Sequence, residues 1–343
     1  MRAPALAAFL ASALAAACQE PSSPKAASEA PAADDVPATL PRVPIPDDLG
    51  ARALKRVEAV VRLGPRHPGS PGWEKALAYI AGEIRALGLE PVRDRWQDPS
   101  EKITFENVHV TLPGKVRDRI VLGCHHDTKV THGHADPDHN FEFVGANDSG
   151  SGIGLLLELI RVLATRERQA TYQFVFFDGE ESLDWTWNEG KRALFGSRRF
   201  VRQHRELALS RSGAPRIAAF VLLDMVGAKD LSIDDDTNSD PEFKKLFLAA
   251  ARTLGHERYF FKNRLAVSDD HLPFLDAGIR SIDLIDLADN PQWHTPQDTL
   301  EHLSAESLQI VGAVVLTALP ELERRLLPKP GTLVLPHKEG GGK

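Results

Sequence analysis

The run Tyr172-Gln-Phe-Val-Phe-Phe-Asp-Gly-Glu-Glu181 carries the clearest fold signal in the chain. Its first six residues form a short apolar stretch, which is typical of a strand buried on both faces of a sheet. Acidic residues follow at once. In parallel α/β folds the chemistry collects beyond the carboxyl ends of the strands. This stretch therefore indicates a strand that ends at a functional site.

Other apolar runs end in the same way. Residues 120–123 are followed directly by Cys124-His-His-Asp127, and residues 217–223 by Asp224-Met225. Residues 281–285 are followed, after a loop, by Trp293-His-Thr295. The stretch Gly145-Ala-Asn-Asp148 precedes a helix. Helical patterns occur at 54–61, 76–87, 152–163, 241–254, 271–277 and 305–326. Short apolar strands that alternate with helices predict an α/β fold, with a largely parallel sheet covered on both faces.

Composition narrows the class of protein. The chain has 343 residues, with 41 Lys plus Arg against 48 Asp plus Glu and a net charge of −7. This acidic balance offers no basic face for nucleic acid, and two cysteines exclude a disulfide scaffold or a four-cysteine zinc site. The length allows two domains, or one large α/β domain with tails, and we expect a single catalytic domain at 47–326.

The amino-terminal and carboxy-terminal segments differ in composition from the predicted domain at 47–326. Residues 1–17 have the form of a signal peptide, and the sequence before Cys18 resembles a bacterial lipoprotein cleavage box. Residues 18–46, rich in proline and alanine, predict a disordered tether, and 327–343 a disordered tail. We expect an exported, periplasmic monomer that is lipid-anchored to a membrane through Cys18. Ordinary cleavage that leaves Cys18 free is the alternative.

The strand ends together deliver a set of metal ligands. The set consists of His125, Asp148, the pair Glu180-Glu181, Asp224 and His294. Zinc prefers such mixed nitrogen and oxygen ligands, with one position left open for a substrate. Because neighbouring side chains diverge, one glutamate of the pair can bind the metal while the other acts as a general base.

Each of these residues has a structural alternative when it is taken alone. An acidic pair after a strand is commonly a solvated turn, Asp148 can cap the following helix, and Asp224 can be a turn residue. His132, His134 and His139 are expected to lie in a solvated loop. A zinc-dependent binding domain without catalysis is a further alternative, but every candidate ligand and base position is filled. The combination favours a metalloenzyme.

The motifs resemble those of the zinc aminopeptidase and glutaminyl cyclase superfamily over about residues 50–325, and in particular its bacterial glutaminyl-peptide cyclotransferase-like members. They are Gly64-Pro-Arg-His-Pro-Gly-Ser70, His125-His-Asp127, Gly145-Ala-Asn-Asp148, Phe177-Asp-Gly-Glu-Glu181, Leu223-Asp-Met225 and Trp293-His-Thr295. The resemblance implies one α/β domain with a mixed, mainly parallel central sheet flanked by helices. It also implies a substrate with a free peptide or protein amino terminus.

Two chemistries occur in this superfamily, and the resemblance assigns residues to each. In a dizinc aminopeptidase Asp148 would bridge two zinc ions, the ligands being His125 and Asp224 on one and Glu181 and His294 on the other. In a glutaminyl cyclase one zinc would be held by Asp148, Glu181 and His294. Glu180 would be the base in both.

Several residues favour the cyclase. Ser268-Asp-Asp-His271 resembles the cyclase pattern, in which Asp269 would pair with Asp224 near the reacting centre. Trp293, Trp185 and Trp187 resemble cyclase residues that line the substrate site, although ordinary packing would explain these tryptophans as well. The sequence departs from the cyclases because 153–159 offers no cysteine to pair with Cys124. We expect a zinc-dependent glutaminyl-peptide cyclotransferase with one zinc, the alternative being a dizinc aminopeptidase.

Overall fold

Eight strands and seven helices form the part of the chain that the computed structural model describes, residues 36–186 and 192–327. The strands are β1 (Val92–Gln97), β2 (Thr104–Leu112), β3 (Arg119–His125), β4 (Thr171–Phe177), β5 (Ile217–Asp224), β6 (Ile233–Asp236), β7 (Phe260–Leu265) and β8 (Ser281–Ile285). The helices are α1 (Leu49–Val61), α2 (Pro71–Ala86), α3 (Gly152–Ala164), α4 (Phe195–Ser210), α5 (Pro241–Leu254), α6 (His271–Asp276) and α7 (Ala305–Leu326).

The main sheet has six strands in the order β1-β2-β4-β3-β5-β8. β1, β2 and β4 pair antiparallel, whereas β4, β3, β5 and β8 run parallel to one another. His125 pairs with Phe177, and Asp224 pairs with Ile285, so these strands end at one edge of the sheet. The predicted mixed, mainly parallel sheet flanked by helices is confirmed.

Successive residues of the buried strands supply two hydrophobic cores, because side chains in a strand alternate between the faces of the sheet. Ile120 and Leu122 belong to the larger core, which α1, α3 and α7 cover. Val121 belongs to a smaller core with Phe200 of α4 and Phe274 of α6. The strands are apolar on both faces because helices cover both faces of the sheet.

The sequence patterns do not reveal four elements, β1, β6, β7 and α4, because charged residues interrupt each of them. Strand β1 (Val92–Gln97) lies at the sheet edge with its residues largely exposed, so it needs little apolar character. Helix α4 buries only four of its residues, and β6 contains three aspartates in four residues. Their neighbours in the fold determine these elements more than their own hydrophobic periodicity does.

Residues 36–46, which the proline content assigns to the tether, lie along the domain. Leu40 is buried, and its backbone exchanges hydrogen bonds of 2.7 and 3.0 Å with the Thr253 hydroxyl of α5. The packed structure thus begins before the predicted residue 47. The predicted signal peptide, Cys18 and the rest of the tether lie outside the described residues, as does the tail after Leu327.

Helix α7 (Ala305–Leu326) is long and apolar enough to cross a membrane by length and composition alone. Most of its apolar stretch is nevertheless buried inside the domain, where α7 packs against α1 and α5. The buried apolar side chains of α7 therefore belong to the larger core.

Phe274 provides a test of the smaller core. Its ring is fully buried and stacks on Phe220 at a centroid distance of 3.9 Å. Phe274→Ala should lower the free energy of unfolding by about 3–5 kcal/mol, because it leaves a cavity that rigid strands cannot close. Denaturant titration measures this change. Leu209→Ala, at a side chain that is 88% exposed, is the control and should change stability by less than about 0.5 kcal/mol.

Candidate active site

The first group of ligands forms where β3 and β5 end. His125 is the last residue of β3 and Asp224 the last residue of β5. The His125 Nε2 atom lies 3.3 Å from Asp224 Oδ1 and 3.1 Å from Asp148 Oδ1. Each of the three side chains offers a ligand atom within 4.8 Å of the other two, so the group can hold a metal ion.

A second group lies beside the first and shares Asp148 with it. His294 Nε2 is 3.4 Å from Asp148 Oδ2 and 3.2 Å from Glu181 Oε2. The ligand atoms of Asp148, Glu181 and His294 also lie within 4.8 Å of one another. All five ligand candidates from the sequence thus meet at one place, and Asp148 presents one oxygen to each group.

Unpaired polar atoms support a metal at this place. Within residues 36–186 and 192–327, both ring nitrogens of His125, both carboxylate oxygens of Glu181 and Oδ1 of Asp224 are buried without a hydrogen-bond partner. Buried polar atoms left without a partner are costly, and metal ligands account for such atoms directly. His125 Nδ1 also lies 3.5 Å from Asp127 Oδ1, the carboxylate contact commonly made by a metal-binding histidine through its other nitrogen.

The charge of the site points to a cation as well. Burial alone would lower the pKa of His294, but the carboxylates of Glu181 and Asp148 outweigh burial and raise it to about 10. Burial likewise opposes the positive charge of His125, yet Asp224 and Glu180 raise the pKa of His125 well above its usual range. Without a metal, the surrounding carboxylates favour the protonated form of both imidazoles. A divalent cation meets the same electrostatic need.

Glu180 and Asp269 lie beside these ligands and are themselves buried. Burial, together with the nearby Asp269 carboxylate, raises the pKa of Glu180 well above its usual range, although His125 opposes this rise. Burial and the charges of Asp224 and Asp270 raise the pKa of Asp269 in the same way. Carboxyl groups this close cannot all be ionised at no cost, so protons are shared among them.

Backbone contacts hold the ligand loops, and two aspartates without a predicted role provide them. Asp127 accepts hydrogen bonds from the backbone N–H groups of Glu180 and Glu181, at 3.2 and 3.3 Å. Asp298 accepts from the N–H groups of Asn147 and Asp148, at 2.7 and 3.1 Å. The spacing His125-x-Asp127 is a sequence signal for the first, whereas nothing near Asp298 marks the second.

Arg66, from the Gly64–Ser70 motif, ties two of these loops together. Its fully buried guanidinium donates to the backbone carbonyls of His126, Val144 and Gly145. Burial lowers the pKa of Arg66 to about 10, and the nearby carboxylates of Asp148, Asp298 and Asp127 oppose this shift. Arg66 remains a cation and links the exit of β3 to the turn before Asp148.

A pocket of about 240 Å³ opens onto the ligands. Glu180, Glu181, Asp148, Asp224, Asp269 and His294 form its polar side, and Met225, Val267, Ile285, Leu287 and Trp293 its apolar side. Trp293 is 40% exposed, and its ring stacks on His294 at a centroid distance of 4.3 Å. The pocket can therefore hold a short side chain between an apolar wall and a metal site.

Trp185 lies at the edge of this site, with its ring 6.2 Å from that of His294. His139 stacks on Trp185 at 3.6 Å, and His134 contacts both rings edge-on. His134 and His139 are half-buried, so the expectation of a solvated loop holds only for the exposed His132. Trp187 lies outside the described residues. Cys124 is buried and free, as expected from the absence of a cysteine at 153–159.

The family model of Peptidase family M28 matches residues 107–319, and the chain belongs to this family. Proteins of similar sequence include glutaminyl-peptide cyclotransferases. A glutaminyl-peptide cyclotransferase-like protein of Bos taurus is 31% identical over 75% of this chain and 72% of that protein. The crystal structure of an Acidobacteriales bacterium glutaminyl cyclase is 34% identical, with a TM-score of 0.72, over 87% of this chain and all of that chain.

An aminopeptidase is also similar to the chain. The structure of a leucine aminopeptidase precursor from Bacteroides thetaiotaomicron is 26% identical, with a TM-score of 0.71, and covers 81% of this chain and 98% of that chain. These matches confirm the predicted superfamily, its fold and a glutaminyl-cyclase-like enzyme, and they keep the aminopeptidase chemistry as the alternative.

Asp148 gives a test of the metal site. Asp148→Ala should abolish tight binding of divalent metal, because its carboxylate belongs to both ligand groups. Metal content after dialysis against a weak chelator, measured by atomic emission, reports the loss. Asp230→Ala, in an exposed turn, is the matched control. Full metal content in the Asp148 variant would show that the metal binds elsewhere.

Proposed function

We propose that the protein is a zinc-dependent glutaminyl-peptide cyclotransferase, which converts the N-terminal glutamine of peptides to pyroglutamate and releases ammonia. The observation that carries the proposal is the burial of Asp224 and Asp269 beside Glu180, in a pocket that also holds Asp148, Glu181 and His294. The similarity to glutaminyl cyclases over most of the chain supports it.

Asp148, Glu181 and His294 are the residues that would hold the zinc. When bound, zinc supplies Lewis-acid polarisation of the side-chain amide carbonyl of the substrate glutamine. The protein holds two of these ligands in place through Asp298, which fixes the backbone at Asp148, and Asp127, which fixes the backbone at Glu181.

Glu180 transfers the proton in the proposed reaction. The α-amino nitrogen of the substrate attacks the carbon of its own side-chain amide, and a carbon–nitrogen bond forms between them. Glu180 removes one proton from that amine and delivers a proton to the amide nitrogen, which leaves as ammonia when its bond to carbon breaks. The raised pKa of Glu180 suits this role, since a base that also returns a proton works best near the working pH.

Asp224 and Asp269 keep a proton beside Glu180. Burial raises the pKa of both carboxyl groups. The Asp224 carboxylate raises the pKa of Asp269 further, while Asp148 and Glu181 raise that of Asp224 against the opposing effect of His125. A carboxyl group that stays protonated can donate a hydrogen bond, which two ionised carboxylates cannot do. By donating such a hydrogen bond, the pair stabilises the charge on Glu180 and on the substrate amide during proton transfer.

The apolar wall of the pocket selects the substrate. Trp293 and its aliphatic neighbours can cover the methylene groups of a glutamine side chain, with the ligands at the far end. Trp185 at the rim can contact the residue after glutamine. A free amino terminus is required, because the α-amine is the nucleophile of the proposed reaction and Glu180 takes its proton.

Aminopeptidase hydrolysis is the second candidate, and one observation favours it. His125, Asp148 and Asp224 form a complete second ligand group that shares Asp148 with the first. Two zinc ions in these groups would supply an attacking hydroxide for peptide hydrolysis. In the cyclase, by contrast, Asp224 is free to pair with Asp269.

Two peptides separate the candidates. Purified protein is incubated with a Gln-Phe-Ala peptide and a Leu-Phe-Ala peptide, and the products are followed by mass spectrometry. Loss of ammonia from the glutamine peptide alone is expected; stepwise shortening of the leucine peptide would establish the aminopeptidase. Glu180→Gln should keep its zinc and lose at least about 100-fold in turnover, since only the base is removed.

Asp269 is expected to affect turnover and leave the metal site intact. Asp269→Ala should lower kcat by about 10- to 100-fold, because Glu180 loses its acidic neighbour, while zinc content stays unchanged. Steady-state kinetics and metal analysis measure the two quantities. A fall in zinc content would instead show that the pair of Asp224 and Asp269 holds the metal.

We also propose that the protein is exported and held at a membrane through a lipidated Cys18. The support is the sequence of residues 1–18 alone. Mass analysis of the mature amino terminus from a bacterial host, with Cys18→Ser as the comparison, tests this proposal.

A further inference from the structure

A buried lysine lies next to the metal ligands, and none of the steps above uses it. Lys129 is only 2% exposed. Its Nζ donates hydrogen bonds to the backbone carbonyls of Ser182 and Asp184, at 2.6 and 2.8 Å, and lies 3.9 Å from Glu181 Oε2. The ammonium group thus contacts the segment that directly follows the paired glutamates.

Lys129 continues a pattern that begins at the end of β3. His125, Asp127 and Lys129 alternate along the chain, as side chains on one side of an extended segment do. All three contact the loop after β4: His125 approaches Glu180, Asp127 accepts from the N–H groups of Glu180 and Glu181, and Lys129 donates to carbonyls further along. The Asp127 carboxylate thus binds N–H groups of this loop, and the Lys129 ammonium group binds its carbonyl groups.

The segment fixed by Lys129 leads to Trp185 at the rim of the site. Lys129 Nζ lies 6.0 Å from the centre of the Trp185 ring, at the limit of a cation–π contact. Trp185 in turn lies beside His294 and carries the stacked His139. One ammonium group therefore donates to the backbone on both sides of Leu183 and lies near both a metal ligand, Glu181, and the Trp185 ring.

We propose that Lys129 is a positioning residue that fixes the segment 182–185, and with it the distance of Trp185 from the metal ligands, so that peptide substrates bind tightly. The inference rests on the proposed function, because it treats Trp185 as a wall of the peptide site. A lysine suits this position, since one ammonium group offers three donors that can reach two carbonyls and a carboxylate at once.

The test uses Lys129→Met, which keeps the aliphatic stem and removes the donors and the charge. Hydrogen exchange of the amides of residues 182–185 should become about tenfold faster. KM for the glutamine peptide should rise about tenfold, with kcat within about twofold of the wild type and with zinc content unchanged. Lys115→Met is the matched control, because Lys115 pairs with Glu167 at the exposed surface and should change none of these values.

A double-mutant cycle tests the route through Trp185. If Lys129 acts by placing Trp185, the KM increase caused by Lys129→Met should largely disappear in a Trp185→Ala background. An equal increase in both backgrounds would overturn the proposal, as would unchanged exchange and KM in the single variant. Lower zinc content in Lys129→Met would also overturn it, because Lys129 would then act on Glu181. If Lys129→Met fails to fold, Lys129→Gln takes its place.

The experiments distinguish a failure of the proposed function from a failure of this inference. A wild-type protein that shortens the leucine peptide and does not cyclise the glutamine peptide contradicts the cyclase. KM is then measured with the peptide that the wild type does turn over, and hydrogen exchange together with the double-mutant cycle still decides the role of Lys129.

Discussion

Mutual repulsion among buried carboxylates is the constraint on which the rest of the site depends. Asp148, Glu180, Glu181, Asp224 and Asp269 are all nearly inaccessible to solvent and line one small pocket. Ions removed from water must be paired or protonated. Both solutions are open to this site: the histidines and a divalent cation would balance the ligands, and shared protons would neutralise the remaining carboxylates. The burial and repulsion that would destabilise an ordinary core here favour a bound cation and raise the pKa of Glu180 well above its usual range.

The fold holds these mutually repelling carboxylates together through strands and backbone contacts that lie outside the pocket. Parallel strands end at one edge, so residues far apart in sequence arrive together without long connections. Arg66, Asp127 and Asp298 then hold the ligand loops through backbone atoms, and Asp127 also contacts His125 Nδ1 at 3.5 Å. Since backbone contacts fix the loops, the carboxylate oxygens stay free for metal and substrate. Rigid loops with unpaired side chains are what a preorganised catalytic site requires.

Much of this could be predicted from the sequence, because the informative residues follow apolar strands. The strands that end at His125, Phe177 and Asp224 have apolar runs that reveal them, and each metal-ligand candidate sits just beyond such a run or at a helix start. Strand β1 and helix α4 could not be found in this way, because their charged residues face solvent. The role of Asp298 cannot be predicted either, and the motif around Arg66 marks that residue without indicating what it does. Both side chains contact backbone atoms that are distant in sequence, and the sequence pattern does not predict such contacts. Lys129 is distinguished from other charged residues only by its burial.

The carboxylate of Asp148 is divided between two ligand groups, and this has an evolutionary consequence. Hydrolysis and cyclisation would use the same strands, the same base and the same central carboxylate, and would differ in whether Asp224 binds a second cation or pairs with Asp269. A lineage could pass from one chemistry to the other through substitutions around Asp224 alone, while the scaffold and its folding stay untouched. The diversity of reactions within one family then reflects how a shared ligand is occupied, with little need for new architecture.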